Sequence, residues 1–168
     1  CSAASTGEEP YSIAMTAVDA FNSFTPPVSI LASDLDTSVL AQGEAGVYPQ
    51  ERVDKLPRET VARFFQKGAN AQAGMVRVRP ELQRLIAFKR INLLEASWPV
   101  QGPLDAIFCR NVMIYFDKPT QYRILQRFLP LLREDGLLFA GHSESFLHAG
   151  DLFRPLGRTV YARADLQR

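Results

Sequence analysis

The sequence predicts an α/β fold built on a parallel sheet with a small antiparallel β insertion, and three observations lead there. Apolar stripes at the helical period alternate with short apolar runs bounded by turn signals, the pattern of strands buried on both faces. One stretch, residues 64–93, breaks that rhythm with period two. The 168 residues are 46% hydrophobic and 22% charged, so one ordinary core can be buried without disulfides or a structural metal.

Taken in order, Ile13, Ala14, Ala17, Val18 and Phe21 recur at three and four residues. They predict a helix from about Glu8 that stops before Pro26-Pro27, and Pro10 falls in its first turn, where a missing N–H costs nothing. Val28 to Ser33 reads as a buried strand, and an acidic turn then leads to a second helix from about Thr37. Phe64 to Lys67, a loop from Gly68 to Gly74, Met75 to Arg79 and Ile86 to Ile91 read as antiparallel strands with one wet, basic face. Asp105 to Cys109 is a strand, and Gln121 to Leu129 a helix with its stripe at Tyr122, Leu125, Phe128, Leu129 and Leu132. Pro130 ends that helix before a Glu134-Asp135-Gly136 turn. Leu137 to Ala140 is the next strand, and Val160 to Arg163 an antiparallel edge strand. One domain over 1–168, with 64–93 inserted in it, is the expectation.

Charge is uneven along the chain. Residues 1–51 hold seven acids and no Lys or Arg, residues 52–90 hold ten bases against three acids, and the remainder nine against eight. A basic middle segment suits an acidic partner. No apolar run approaches the roughly 20 residues that span a bilayer, and no basic, apolar, then small-residue leader opens the sequence. Two cysteines are too few for a disulfide framework, and Cys109 closes an apolar run, so a reducing, cytoplasmic setting is expected. Neither nucleic acid nor insertion into a membrane is expected.

In an open parallel sheet, ligands bind beyond the carboxyl ends of the strands. The residues expected there are the small-residue turn 3–7, Asp34 and Asp36, Arg110-Asn111 with Tyr115 close behind, and Gly141-His142-Ser143-Glu144. An acid ending a second strand can accept the ribose hydroxyls of an adenosine cofactor. Asp36, before Thr37-Ser38, suits a helix cap better than Asp34 does. Gly141-His142-Ser143-Glu144-Ser145 lacks the last glycine of a hydrolase nucleophile elbow. His142 and His148 have no cysteine partner or helical spacing that suggests zinc, and no metal is expected. A dinucleotide oxidoreductase is disfavoured because the turn at 3–7 lacks the paired glycines that a pyrophosphate needs.

Six motifs occur together in order: Ala-Ala-Ser-Thr-Gly-Glu-Glu-Pro-Tyr-Ser (3–12), Ala-Ser-Asp-Leu-Asp (32–36), Val-Arg-Val-Arg (76–79), Asn-Leu-Leu-Glu (92–95), the run from Leu104 through Cys-Arg-Asn to Phe116, and Asp-Gly-Leu-Leu-Phe-Ala-Gly-His-Ser-Glu-Ser (135–145). In this combination the chain resembles the chemotaxis receptor methyltransferases, the CheR family. The resemblance implies a class I, Rossmann-like fold and an enzyme that uses S-adenosyl-L-methionine, releases S-adenosyl-L-homocysteine, and converts glutamates on the cytoplasmic helices of bacterial methyl-accepting chemotaxis receptors to γ-methyl esters. It implies Glu9, Asp34, Asn92, Leu93, Arg110 and Asn111 as cofactor contacts, with Tyr115 and Arg110 at the reacting centre. It implies receptor docking through the β insertion, in some members by way of the receptor's C-terminal peptide. Relatives carry a helical domain and a further strand ahead of the turn at 3–7, so the chain is expected to be the catalytic part of a longer protein. A non-catalytic docking module derived from the family is the alternative.

Overall fold

A computed structural model describes residues 1–165. The described residues divide into two compact units, Ala4–Arg90 and Cys1–Ala3 with the residues from Ile91 on.

The first unit opens with helix α1 (Glu8–Phe21), which buries Pro10, Tyr11, Ala14 and Val18. The helix ends four residues earlier than its proline pair suggests, because Asn22 turns left-handed at φ 47° and its amide closes on Asp19 O. Strand β1 (Ile30–Asp34) starts later than expected, since the Val28 amide bonds Pro26 O in a tight turn. Helix α2 (Thr37–Ala45) is capped by Asp36, whose carboxylate accepts from Ser38 N at 2.7 Å.

Strand β2 (Val47–Pro49), helix α3 (Arg58–Phe64), strands β3 (Phe65–Lys67) and β4 (Met75–Val78), helix α4 (Pro80–Gln83) and strand β5 (Ile86–Arg90) complete the unit. The antiparallel pairing of β3 with β4 is as the period-two pattern predicts. Two points are corrected. The sheet has a third member, β2, giving the order β2-β4-β3; three residues ending in proline carry no periodicity that would announce it. Residues 86–90 do not join the antiparallel set: β5 lies parallel to β1, Ile30 opposite Ile86 and Asp34 opposite Arg90. Alternation reports a half-buried strand, not the direction of its neighbour.

The second unit contains β6 (Leu104–Cys109), helix α5 (Lys118–Phe128), and strands β7 (Leu132–Ala140), β8 (Phe153–Pro155) and β9 (Val160–Arg163). Asp117 caps α5, accepting from Thr120 N at 2.9 Å. The helix therefore begins three residues before Gln121, ahead of the apolar stripe that marks it in the sequence. The sheet order is β6-β7-β9-β8, with β6 and β7 parallel and β9 antiparallel to both its neighbours. β9 is thus interior and β8 is the edge, a correction to the expectation. The predicted turn at 134–136 is a register irregularity inside β7: Leu104 pairs with Leu132, yet Ala106 pairs with Leu137. Ile107, Cys109, Ile124, Leu125, Phe128, Leu138, Phe146, Phe153 and Tyr161 belong to one buried core, in which Cys109 packs as a small hydrophobe.

Candidate active site

In the first unit the turn ahead of α1 winds tightly. Ser5 adopts φ 49° and Gly7 φ 94°. At Gly7 a side chain is doubly excluded, because a Cβ would lie 2.9 Å from Gly43 Cα and 3.0 Å from Tyr48 Oη. The turn is tied to the end of β1 twice: Ala4 N donates to Ser33 O at 2.8 Å, and Ser5 N donates to Asp34 Oδ2 at 2.9 Å. Asp34 Oδ1 accepts from Asp36 N at 3.1 Å, so both oxygens are oriented by backbone amides. Asp34 and Asp36 divide the two roles the sequence suggests: Asp36 caps, and Asp34 closes the strand.

Two buried tyrosines brace the turn and the helix behind it. Tyr48 on β2 donates to Thr6 O at 2.6 Å, and Tyr11 on α1 donates to Gly43 O at 2.7 Å. Burial pushes the Tyr11 hydroxyl up to about 12, with the Glu44 charge adding to it. Burial likewise raises Tyr48, helped by Tyr11 and Glu8. Both stay protonated donors at neutral pH. Glu8 and Glu9 occupy the first turn of α1, where the helix dipole favours negative charge. Glu8 accepts from Thr6 Oγ1 at 2.5 Å and lies 3.5 Å from Arg52, and both Glu8 and Glu9 are half-buried.

In the second unit, Arg110, Asn111 and Tyr115 lie on one loop between β6 and α5. Asn111 takes φ 59°, a left-handed geometry that asparagine tolerates. Arg110 is half-buried, and Tyr115, at the end of the short 3-10 turn Met113–Tyr115, is 78% exposed. Tyr115 is therefore not a core aromatic. Asn92 uses its side-chain oxygen to accept from Leu94 N at 2.9 Å and its carbonyl to accept from Trp98 Nε1 at 3.1 Å. Leu93 packs against the core.

Sequence reasoning places Glu144 beyond a strand end but assigns it no role. It is 7% exposed, and its carboxylate accepts four backbone N–H groups: Asn111 and Gly141 on Oε2 at 2.9 and 2.6 Å, Val112 and Met113 on Oε1 at 3.0 and 2.8 Å. The available signal was a carboxylate a few residues past an apolar strand, which has to find partners if buried. Gly141 cannot carry a side chain here, because a Cβ would collide with Asn111 Oδ1 and lie 2.7 Å from Glu144 Oε2. His142 and Ser143 are exposed. Partial desolvation, with Lys118 nearby, lowers the exposed His148 from the ordinary histidine value. No cluster that could hold a metal occurs among the described residues.

A concavity of about 520 Å³ lies on the antiparallel sheet, lined by Val47, Gln66, Lys67, Met75 and Arg77 together with the 68–72 loop. Among the described residues no helix is long and apolar enough to cross a membrane.

Residues 1–162 match the family described as "CheR methyltransferase, SAM binding domain". The chain is 60% identical over 162 residues to a protein named chemotaxis protein methyltransferase 2 from Pseudomonas aeruginosa, covering 96% of this chain and 58% of that one. It is 52% identical over 160 residues to a chemotaxis protein methyltransferase from Escherichia coli, covering 95% of this chain and 56% of that one. The chain thus spans little more than half the length of these curated relatives. Among solved structures, the glycopeptide N-methyltransferase MtfA, complexed with S-adenosyl-L-methionine, matches with a TM-score of 0.50 at 13% identity, over 96% of this chain and 50% of that chain. At that identity the likeness concerns the fold, which is the class I, Rossmann-like methyltransferase fold.

Proposed function

This chain belongs to the CheR methyltransferase family, in its S-adenosylmethionine-binding domain, and on that premise we propose that it carries the methyl-transfer chemistry of a protein-glutamate O-methyltransferase acting on bacterial chemoreceptors in the cytoplasm. The observation that carries this reading is Asp34, a carboxylate closing a parallel strand and oriented by the amide of a tightly wound small-residue turn. A ribose needs paired acceptors at a fixed angle, and the two oxygens of Asp34, each set by a backbone amide, are of that kind. Glu9, Asn92, Leu93, Arg110 and Asn111 are the further cofactor contacts we propose.

When bound, S-adenosyl-L-methionine supplies a methyl group on a positively charged sulfur. A glutamate side chain, with an ordinary pKa of about 4.3, is already an anion at neutral pH, so no proton has to be removed before it attacks. The protein's contribution is alignment, which can lower a barrier by several kcal/mol. Tyr115 presents its ring to solvent on the same loop as Arg110. Near a sulfonium, such a ring adds a cation-π attraction on the order of 1 kcal/mol. The guanidinium of Arg110 orients a carboxylate, that of the methionine portion or that of the incoming glutamate.

For receptor engagement we propose the antiparallel sheet. Both β2 and β3 are edges of that sheet, and an extended peptide could add to either. Lys67 and Arg77 beside the concavity, within a segment of ten bases, suit an acidic receptor helix or its C-terminal peptide. The experiment measures tritiated methyl incorporation into receptor membranes by the full natural protein, beside its Asp34→Ala and Tyr115→Ala variants. Base-labile label that falls at least ten-fold in both variants supports the reading. Membrane binding without label would leave a docking module in place of an enzyme.

A further inference from the structure

The loop from Arg110 to Phe116 is held by two buried side chains that approach it with opposite chemistry. Glu144 takes its N–H groups: Asn111, Val112 and Met113 all donate to the one carboxylate, and Gly141 supplies the fourth bond. Gln121 takes its carbonyls: the two hydrogens of its Nε2 go to Met113 O at 2.8 Å and Phe116 O at 2.9 Å, while Lys118 Nζ satisfies its Oε1 at 3.2 Å. Gln121 is 6% exposed. The two clamps also divide the loop. Glu144 fixes the Asn111 end and its left-handed backbone, whereas Gln121 brackets Met113 to Phe116, the turn that carries Tyr115.

We infer that Glu144 and Gln121 are positioning residues for methyl transfer, Glu144 setting the cofactor-facing end of the loop and Gln121 setting Tyr115. This rests on the proposed roles of Arg110, Asn111 and Tyr115. The chemistry of each clamp is specific. Four converging N–H donors require an acceptor with four lone-pair sites, which an ionised carboxylate has and an amide lacks. Glu144→Gln would turn an NH2 group toward two of those donors and leave them unpaired in the interior. Two carbonyls in turn require a double donor, so Gln121→Met fills the space and releases both.

The test measures the affinity for S-adenosyl-L-homocysteine by calorimetry, and kcat and KM for methyl transfer, on the full natural protein and its Glu144→Gln, Glu144→Asp, Gln121→Met and Arg110→Ala variants, each normalised to its folded fraction. Glu144→Gln should weaken affinity at least ten-fold, and Glu144→Asp, which keeps the charge on a shorter arm, by an intermediate factor. If Glu144→Gln fails to fold, Glu144→Asp and Gln121→Met carry the test. Gln121→Met should lower kcat at least five-fold with affinity within two-fold of wild type. A purely structural role would lower the melting temperature of the variants while leaving affinity and kcat per folded molecule unchanged, and that result overturns the proposal. Arg110→Ala keeps the two failures apart. If it weakens affinity while both Glu144 variants do not, positioning fails alone; if none of the three does, the cofactor reading of the loop fails with it.

Discussion

The amide of Ser5 and the carboxylate of Asp34, 29 residues apart in sequence, meet at 2.9 Å. That bond fixes the orientation of the acid that ends β1. It also draws the left-handed turn at Ser5 against the strand, so the local geometry of residues 4–7 and the direction of Asp34 are set together.

Asp34→Asn keeps one acceptor oxygen but turns a donor toward either Ser5 N or Asp36 N. It should weaken affinity for S-adenosyl-L-methionine roughly ten- to a hundred-fold, as loss of a charged hydrogen-bonding group of about 1.5–3 kcal/mol implies. Equilibrium binding of the variant beside wild type checks this.

Tyr115→Ala should abolish most methyl transfer with little change in melting temperature. The side chain is 78% exposed and contributes little to the core. Thermal unfolding and turnover of the same sample separate the two effects.

Gly141→Ala forces a methyl group between Asn111 Oδ1 and Glu144 Oε2, where an ideal Cβ would already be 2.7 Å from the latter. Overpacking of this kind costs about 1–3 kcal/mol. Chemical denaturation should report that loss, and cofactor affinity should fall with it, because the displaced groups carry the Asn111 amide.

Tyr48→Phe removes one partly buried hydrogen bond, from the hydroxyl to Thr6 O. A stability loss of about 1 kcal/mol is expected. A rise in KM for S-adenosyl-L-methionine should accompany it, since the bond braces the turn that orients Asp34.

The helix caps predict an acid limb of stability. Hydrogen bonds from Ser38 hold the Asp36 carboxyl below its ordinary 3.8, and those from Thr120 do the same for Asp117. The folded state therefore binds fewer protons than the unfolded chain across that range. The stabilisation is complete above the unfolded value and is lost as pH falls through the lowered folded values. Asp117→Asn retains a capping oxygen but neither charge nor titration, so its melting temperature should lie somewhat below wild type near neutrality and decline less steeply on the acid side. Melting curves between about pH 2 and 7 check the sign.

Much of this architecture was legible in the residues, for reasons that also explain what was not. Helices α1 and α5 carry stripes long enough to fix their period, and Asp36 before Thr37-Ser38 is a cap by chemistry alone. Strands β2 and β8 are three residues long and end in proline, which leaves nothing for periodicity to register. The parallel partner of β5 is set by the chain returning through α4, a long-range fact that local alternation does not encode. At the site, Asp34 and the Arg110-Asn111 pair could be singled out because acids and arginines at strand ends are chemically conspicuous. The roles of Glu144, although it was placed at a strand end, and of Gln121 could not, because their partners are backbone groups and backbone groups leave no trace in sequence.

The most direct test of the account is a calorimetric titration of the full natural protein with S-adenosyl-L-homocysteine, followed by competition with S-adenosyl-L-methionine and with NAD. Saturable binding of one equivalent, displaced by S-adenosyl-L-methionine and not by NAD, is the predicted result. No binding, or displacement by NAD in its place, would contradict it.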